Sequence, residues 1–138
     1  MVKYIFAFIV SISMTCISLP MDAAVIGQTN KEVRSIAGPI LDNILKGMKK
    51  DDYTIWSQDF DVVMKESFSE EKFHKTNQQI LNQFGEYVSR DYLGFLKKGS
   101  MTMVLWKSRF DDIADDVLIT LVVSKRGDKY KVTGLWFE

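Results

Sequence analysis

The sequence predicts an α+β fold in which N-terminal helices pack on a curved four-strand antiparallel sheet. Three observations carry the prediction. The last third, from Gly85 to Phe137, holds four strand-like stretches joined by short links. The region before it carries apolar residues at helical spacing. A chain of 138 residues that is 46% hydrophobic has enough material for one domain with a core. Short links imply antiparallel neighbours, because a parallel crossover takes a dozen or more residues.

The clearest strand is Val117 to Val123. It is rich in β-branched residues and bounded by Asp115-Asp116 and Lys125-Arg126-Gly127-Asp128. Alternation puts Val117, Ile119, Leu121 and Val123 on a core face. Leu118, Thr120, Val122 and Ser124 form a half-polar second face, open to being covered as well. A turn at Arg126-Gly127-Asp128-Lys129 leads into Tyr130–Phe137, where Gly134 predicts a bulge or a close backbone approach. Met101–Phe110 is the preceding strand, linked by the acidic loop 111–116. Glu86–Leu96 is the first, interrupted by Gly94 and followed by a turn at Lys97-Lys98-Gly99-Ser100.

At the other end, Lys3, an apolar run from Ile5 to Leu19, Pro20 and the small residues Ala23 and Ala24 have the layout of a secretory signal peptide. The division is residues 1–24 as signal and 25–138 as the domain, with the cut after Ala23 or Ala24. An uncleaved anchor competes, but the run is shorter than the ~20 residues a span needs. A lipid attachment would use Cys16, but Ser13-Met14-Thr15 fits that box poorly. Cys16 is the single cysteine, so the mature domain has neither disulfide nor thiol chemistry. Lys plus Arg and Asp plus Glu are equal at 18 each, which argues against nucleic acid as a partner.

Thr29-Asn30-Lys31-Glu32 forms a capping box. Val33, Ile36, Ala37, Ile40, Leu41, Ile44, Leu45 and Met48 then follow at helical spacing, with Lys49 and Lys50 at the negative end. Pro39 predicts a kink near residues 35–38. A short second helix is expected over Asp51–Phe60, capped by Asp, with Tyr53, Trp56 and Phe60 on one side. A third opens at Ser69-Glu70-Glu71 and stops at Gly85.

Helix, short helix, helix and then a four-strand meander resembles the nuclear-transport-factor-2-like, or cystatin-like, superfamily, and within it small exported bacterial domains of unknown function. The likeness covers Val33 to Phe137. It rests on the Ile40–Met48 helix followed by Asp51-Asp52-Tyr53, the Phe84-Gly85 entry to the sheet, Met103-Val104-Leu105-Trp106 with its acidic hairpin, and the closing Tyr130–Phe137. The resemblance implies a cystatin-like roll, a sheet curved around the long helix with a cavity between them. In such domains the cavity holds ligands or active sites, and the outer sheet face pairs subunits. Its isomerases and dehydratases use Tyr, Asp and His in the cavity, a pattern that does not map onto this chain. Fold alone transfers no function.

Each candidate for chemistry has a plain structural alternative. His74 titrates near neutrality and could act as a base, but its charged surroundings favour a solvated surface residue. Asp111, Asp112, Asp115 and Asp116 could bind calcium, yet no glycine shapes the loop and no glutamate closes it, which favours a solvated hairpin tip. Tyr53, Trp56 and Phe60 are read as cavity lining or as core, with Asp59 beside them as a carboxylate whose pKa would rise if it were buried, although the plainer reading leaves it exposed. Val104, Trp106 and Phe110 share a strand face that is either core or, with Leu118 and Val122, a sticky convex surface for a homodimer. No nucleotide loop, G-x-S-x-G or H-E-x-x-H is present.

The expectation is an exported domain, periplasmic or secreted, that is non-enzymatic and binds a small apolar or amphipathic ligand or a partner protein. Two alternatives stand beside it. One is a cavity enzyme of the isomerase or dehydratase type, with Asp59 as base and Tyr53 as hydrogen-bond donor. The other is an assembly module that only dimerises. No cofactor or metal is expected, nor any stable membrane span once the signal is removed.

Overall fold

The computed structural model describes residues 23–138. Residues 1–22, which hold Cys16 and all of the expected signal segment except Ala23 and Ala24, lie outside the described residues. The elements run β1 (Ala23–Ala24), α1 (Asn30–Lys50), α2 (Tyr53–Trp56), α3 (Val62–Ser67), α4 (Glu70–Phe84), β2 (Tyr87–Lys98), β3 (Met101–Phe110), β4 (Val117–Arg126) and β5 (Lys129–Phe137). The expected α+β roll is what forms. Four helices pack with a curled antiparallel sheet in which β2, β3, β4 and β5 neighbour one another in chain order. β1 pairs Ala23 and Ala24 with Arg126 and Lys125, continuing the β4 edge beyond the last β3 partner at Val123.

α1 begins at the expected capping box. Thr29 accepts from the Glu32 backbone N–H, and the Glu32 carboxylate accepts from the Gln28 and Thr29 N–H groups. The helix is continuous through Pro39. Its intrinsic preference is poor, because one proline and two glycines together cost about 5 kcal/mol of helix propensity. Tertiary burial outweighs that loss. Val33, Ile40, Leu41, Ile44 and Leu45 are buried against Val104, Trp106, Ile119, Leu121, Val123 and Val132 on the concave face of the sheet. Each large aliphatic side chain contributes about 1.5–3 kcal/mol relative to an exposed one.

Two expectations need correction, the first of them in the helices. The second helix is only Tyr53–Trp56, capped by Asp52, whose side chain accepts from the Ile55 N–H. Phe60 is not on it. The chain turns out at Ser57, and Phe60 bridges to Val132 in parallel, tied by the Val132 N–H to the Asp59 carbonyl and the Asp61 N–H to the Val132 carbonyl. The unforeseen α3 follows, capped by Asp61 on the Met64 N–H.

The sheet carries the second correction. Val104 and Trp106 were candidates for the convex face, but both are buried in the core, Trp106 at 2% exposure. Their cross-strand partners are Leu121 and Ile119, the core face of β4. Leu118 and Val122 do lie on the opposite face, paired with Lys107 and Met103. That face is partly covered, since Thr120, Val122 and Ser124 are buried. Gly134 sits at the expected bulge, where the register slips between Val122 and Val123. A Cβ there would lie 2.5 Å from Cζ3 of Trp136, so the missing side chain is where the indole folds back onto the sheet.

Gly47 makes the tightest approach in the helical layer. A Cβ on it would sit 2.5 Å from the Trp56 Cα, inside backbone that cannot yield. Gly47→Ala would gain about 1 kcal/mol of helix propensity but is expected to destabilise the fold by about 3 kcal/mol through overpacking. Urea denaturation measures this, and a loss below about 1 kcal/mol would mean that α2 is free to move away.

Candidate functional site

The four aromatic-cluster candidates do not meet at a common open site. Trp56 is the centre of a buried cluster, with ring centroids 4.5 Å from Phe60, 4.6 Å from Phe73 and 5.3 Å from Phe68. Tyr53 stands 6.0 Å away and donates its hydroxyl to the Phe68 carbonyl at 2.9 Å. The Asp59 carboxylate accepts from Asn43 Nδ2 at 3.1 Å. Of these four, Trp56 alone lines a slot of about 60 Å³ whose walls include Met64, Phe68, Phe73, Leu135 and Phe137.

A larger cavity than this slot lies elsewhere. A cleft of about 470 Å³ opens between α1, α4 and the start of β2. α1 presents Asp42, Leu45, Lys46, Met48 and Lys49 to it, positions three and four apart on one side of the helix. α4 adds Asn77, Ile80 and Leu81, and the sheet adds Tyr87, Val88, Arg90 and Phe110. Met48, Asn77 and Ile80 line both the cleft and the Trp56 slot, so the two adjoin across these side chains.

Arg90 reaches the cleft because of a bulge. Between Tyr87 and Ser89 the β2–β3 register slips by one residue, leaving Val88 extra. Arg90 then pairs with Ser108 on the concave face and extends toward α1. Its Nη2 donates to the Asp42 carboxylate at 2.6 Å and to the Gly38 carbonyl at 3.3 Å, and Nη1 donates to the Tyr87 hydroxyl at 3.4 Å. Its guanidinium also stands 5.9 Å from the centre of the Trp106 ring. Burial disfavours the charge, but Asp42 and Tyr87 outweigh it and push the pKa further up. The side chain therefore stays cationic with its orientation fixed.

The acidic hairpin braces this region. Asp111 accepts from the Glu86 N–H at 2.7 Å, and the Asp112 N–H donates to the Phe84 carbonyl at 3.1 Å. Gly85 caps α4 at that junction. Among the described residues, no group of three or more His, Cys, Asp or Glu side chains is placed to hold a metal.

His74 is partly exposed, as expected, but it is not isolated. A carboxylate can only accept, so His74 Nδ1 carries the proton and donates to Asp51 Oδ2 at 2.9 Å. Asp51 is the left-handed C-cap of α1, and Asn77 Nδ2 donates to both Asp51 and the Met48 carbonyl. His74 Nε2 lies 3.6 Å from Glu70. The cluster ties α4 to the end of α1 beside the cleft.

No protein-family model, curated protein or solved structure matches the chain.

The α1–α4 tie is pH-dependent. Asp51, then Glu70, raise the His74 pKa above its ordinary 6.5, while burial opposes them. Asn77 and then His74 lower the Asp51 pKa below its ordinary 3.8. Folded His74 holds its proton more tightly than unfolded His74. Its contribution is therefore complete below about pH 6.5 and is lost as pH rises through the raised folded value. The Asp51 contribution is present above about pH 3.8 and disappears as pH falls through its depressed value. An NMR titration should place the His74 midpoint above 6.5, and Asp51→Asn should bring it down. A midpoint at or below 6.5 would show that the contact does not persist in solution.

Proposed function

We propose that this chain is an exported, non-enzymatic domain that holds a small amphipathic molecule in the cleft between α1, α4 and β2. The cleft itself carries the reading. Its volume of about 470 Å³ falls within the ~300–1,000 Å³ of small-molecule sites. Its walls combine aliphatic and aromatic residues with polar and charged ones, of which Arg90, Asp42 and Asn77 are held by hydrogen bonds. Half-exposed Leu81 and Val88 give the mouth an apolar side beside its exposed charged residues. Among the described residues, no helix is long and apolar enough to cross a membrane. The α+β roll supports, within the same proposal, kinship with the nuclear-transport-factor-2-like superfamily.

Nothing favours the cavity-enzyme alternative at the residues first considered for it. Asp59 and Tyr53 line neither cavity, and each is hydrogen-bonded to a structural partner.

A second reading, self-association through the convex sheet face, has its own observation. Leu96, Met103 and Val122 form one cross-strand row that ends at Gly134 beneath Trp136. Trp136 is 49% exposed, Leu96 50% and neighbouring Met101 40%. If this face pairs subunits, Trp136→Glu should convert dimers to monomers in analytical ultracentrifugation while keeping the fold. A wild-type chain that stays monomeric at high concentration would remove the second reading.

Native mass spectrometry of the mature protein, purified from the compartment to which it is exported, tests the main proposal. The expected result is a non-covalent adduct of defined mass that Leu81→Glu, at the mouth, abolishes without a stability change beyond about 0.5 kcal/mol. The protein mass also reads the signal cut. Retention of the adduct in Leu81→Glu would move the ligand out of the cleft.

A further inference from the structure

We infer that the cleft selects an anionic single-chain amphiphile, its headgroup at Lys46, Lys49 and Arg90 and its chain running past Met48 toward Trp56. The inference rests on the cleft reading above and adds the charge and orientation of the ligand.

The electrostatics of the lining set the sign. The cleft holds three cations, Lys46, Lys49 and Arg90, and two carboxylates, Asp42 and Glu86. Asp42 is engaged by Arg90. Among the described residues, Lys46 and Lys49 are in no ion pair, so with Arg90 and Asp42 offsetting one another two unpaired ammonium groups line the cleft against Glu86 alone. A carboxylate or phosphate headgroup matches that arrangement, and a cationic headgroup is repelled by it. Arg90 is pre-oriented by Asp42, Gly38 and Tyr87, so less side-chain order has to be created on binding.

The shape sets the direction. Across Met48 and Ile80 the cleft adjoins the smaller slot, whose lining is mostly aromatic, Met and Leu, with Thr76 and Asn77 as its polar residues and no charged group. Met48 stands at the join and is unbranched and adaptable, so a chain can displace it at low cost. Polarity thus runs along one axis, cationic and wide at one end and apolar and narrow at the other. A linear chain with one anionic end fits that axis. A compact polar metabolite would leave the apolar end unfilled.

Calorimetry with decanoate, decyl phosphate, decanol and decyltrimethylammonium, all below their micelle concentrations, tests the inference on the full mature protein. The two anions should bind at least about tenfold more tightly than the alcohol, the size expected for partly exposed charge contacts acting together. The cation should bind more weakly still. Lys46→Gln/Lys49→Gln should remove the advantage of the anions without weakening decanol, and Glu86→Gln should strengthen anion binding. Decanoate should change the tryptophan emission by an amount that Trp56→Phe removes, and octanoate should change it less. A preference between the two anions separates a carboxylate source from a phosphate source. If the alcohol binds as tightly as the anions, the headgroup inference fails and the cleft reading stands. If none of the four binds, both fail. Equal binding by the anions and the lysine variant would place the headgroup outside the cleft.

Discussion

The helical layer depends on one close contact, the backbone of Trp56 lying directly against Gly47 of α1. With no side chain at position 47, α2 can turn back under α1 and drive the indole into the space between the helices and the sheet. Phe60, Phe68, Phe73 and Tyr53 then gather around that ring. The contact sets where α4 can pack and therefore how wide the cleft between α4 and β2 stands. Asp51, Asn77 and His74 fasten the same end of α1 to α4 from outside.

The sheet supplies the other wall through irregularity. Were β2 a regular strand, residues from Tyr87 onward would alternate without interruption. Bulges at Val88 and Leu93 reset that alternation twice. The first sends Arg90 inward beneath α1, while Val88 remains exposed at the cleft mouth. A bulged, twisted edge also resists pairing with another chain's strand, which suits a 12-residue strand with an open outer side. The same irregularity thus positions the cation and guards the edge.

These features also explain what could be read from the residues alone. β3 and β4 were legible because strict alternation put every core residue at a period of two, and α1 was legible from its capping box and apolar stripe. The short α3 was not, since six residues give less than two turns of periodicity and its first two, Val62 and Val63, are exposed. Phe60 fell at helical spacing from Trp56 by coincidence, and the turn over residues 57–59 was invisible in composition. Val104 and Trp106 were correctly grouped with Phe110, but alternation does not say which face is concave. The cleft residues were missed for a related reason. Lys46 and Lys49 read as the polar side of α1, and Arg90 falls between two bulges that break the period-two rule. The usable signals were the break in strand pattern at Gly94 and two lysines flanking an apolar stripe.

The account stands on the claim that the cleft between α1, α4 and β2 is where a ligand sits. An amide and methyl chemical-shift map of the mature protein titrated with decanoate tests that claim most directly. The account predicts perturbations concentrated at Leu45, Met48, Ile80, Leu81 and Arg90 and extending to Trp56, with Trp136 and Leu96 unmoved. Perturbations confined to the convex face around Trp136 would contradict it, and would make that face the functional surface of the protein.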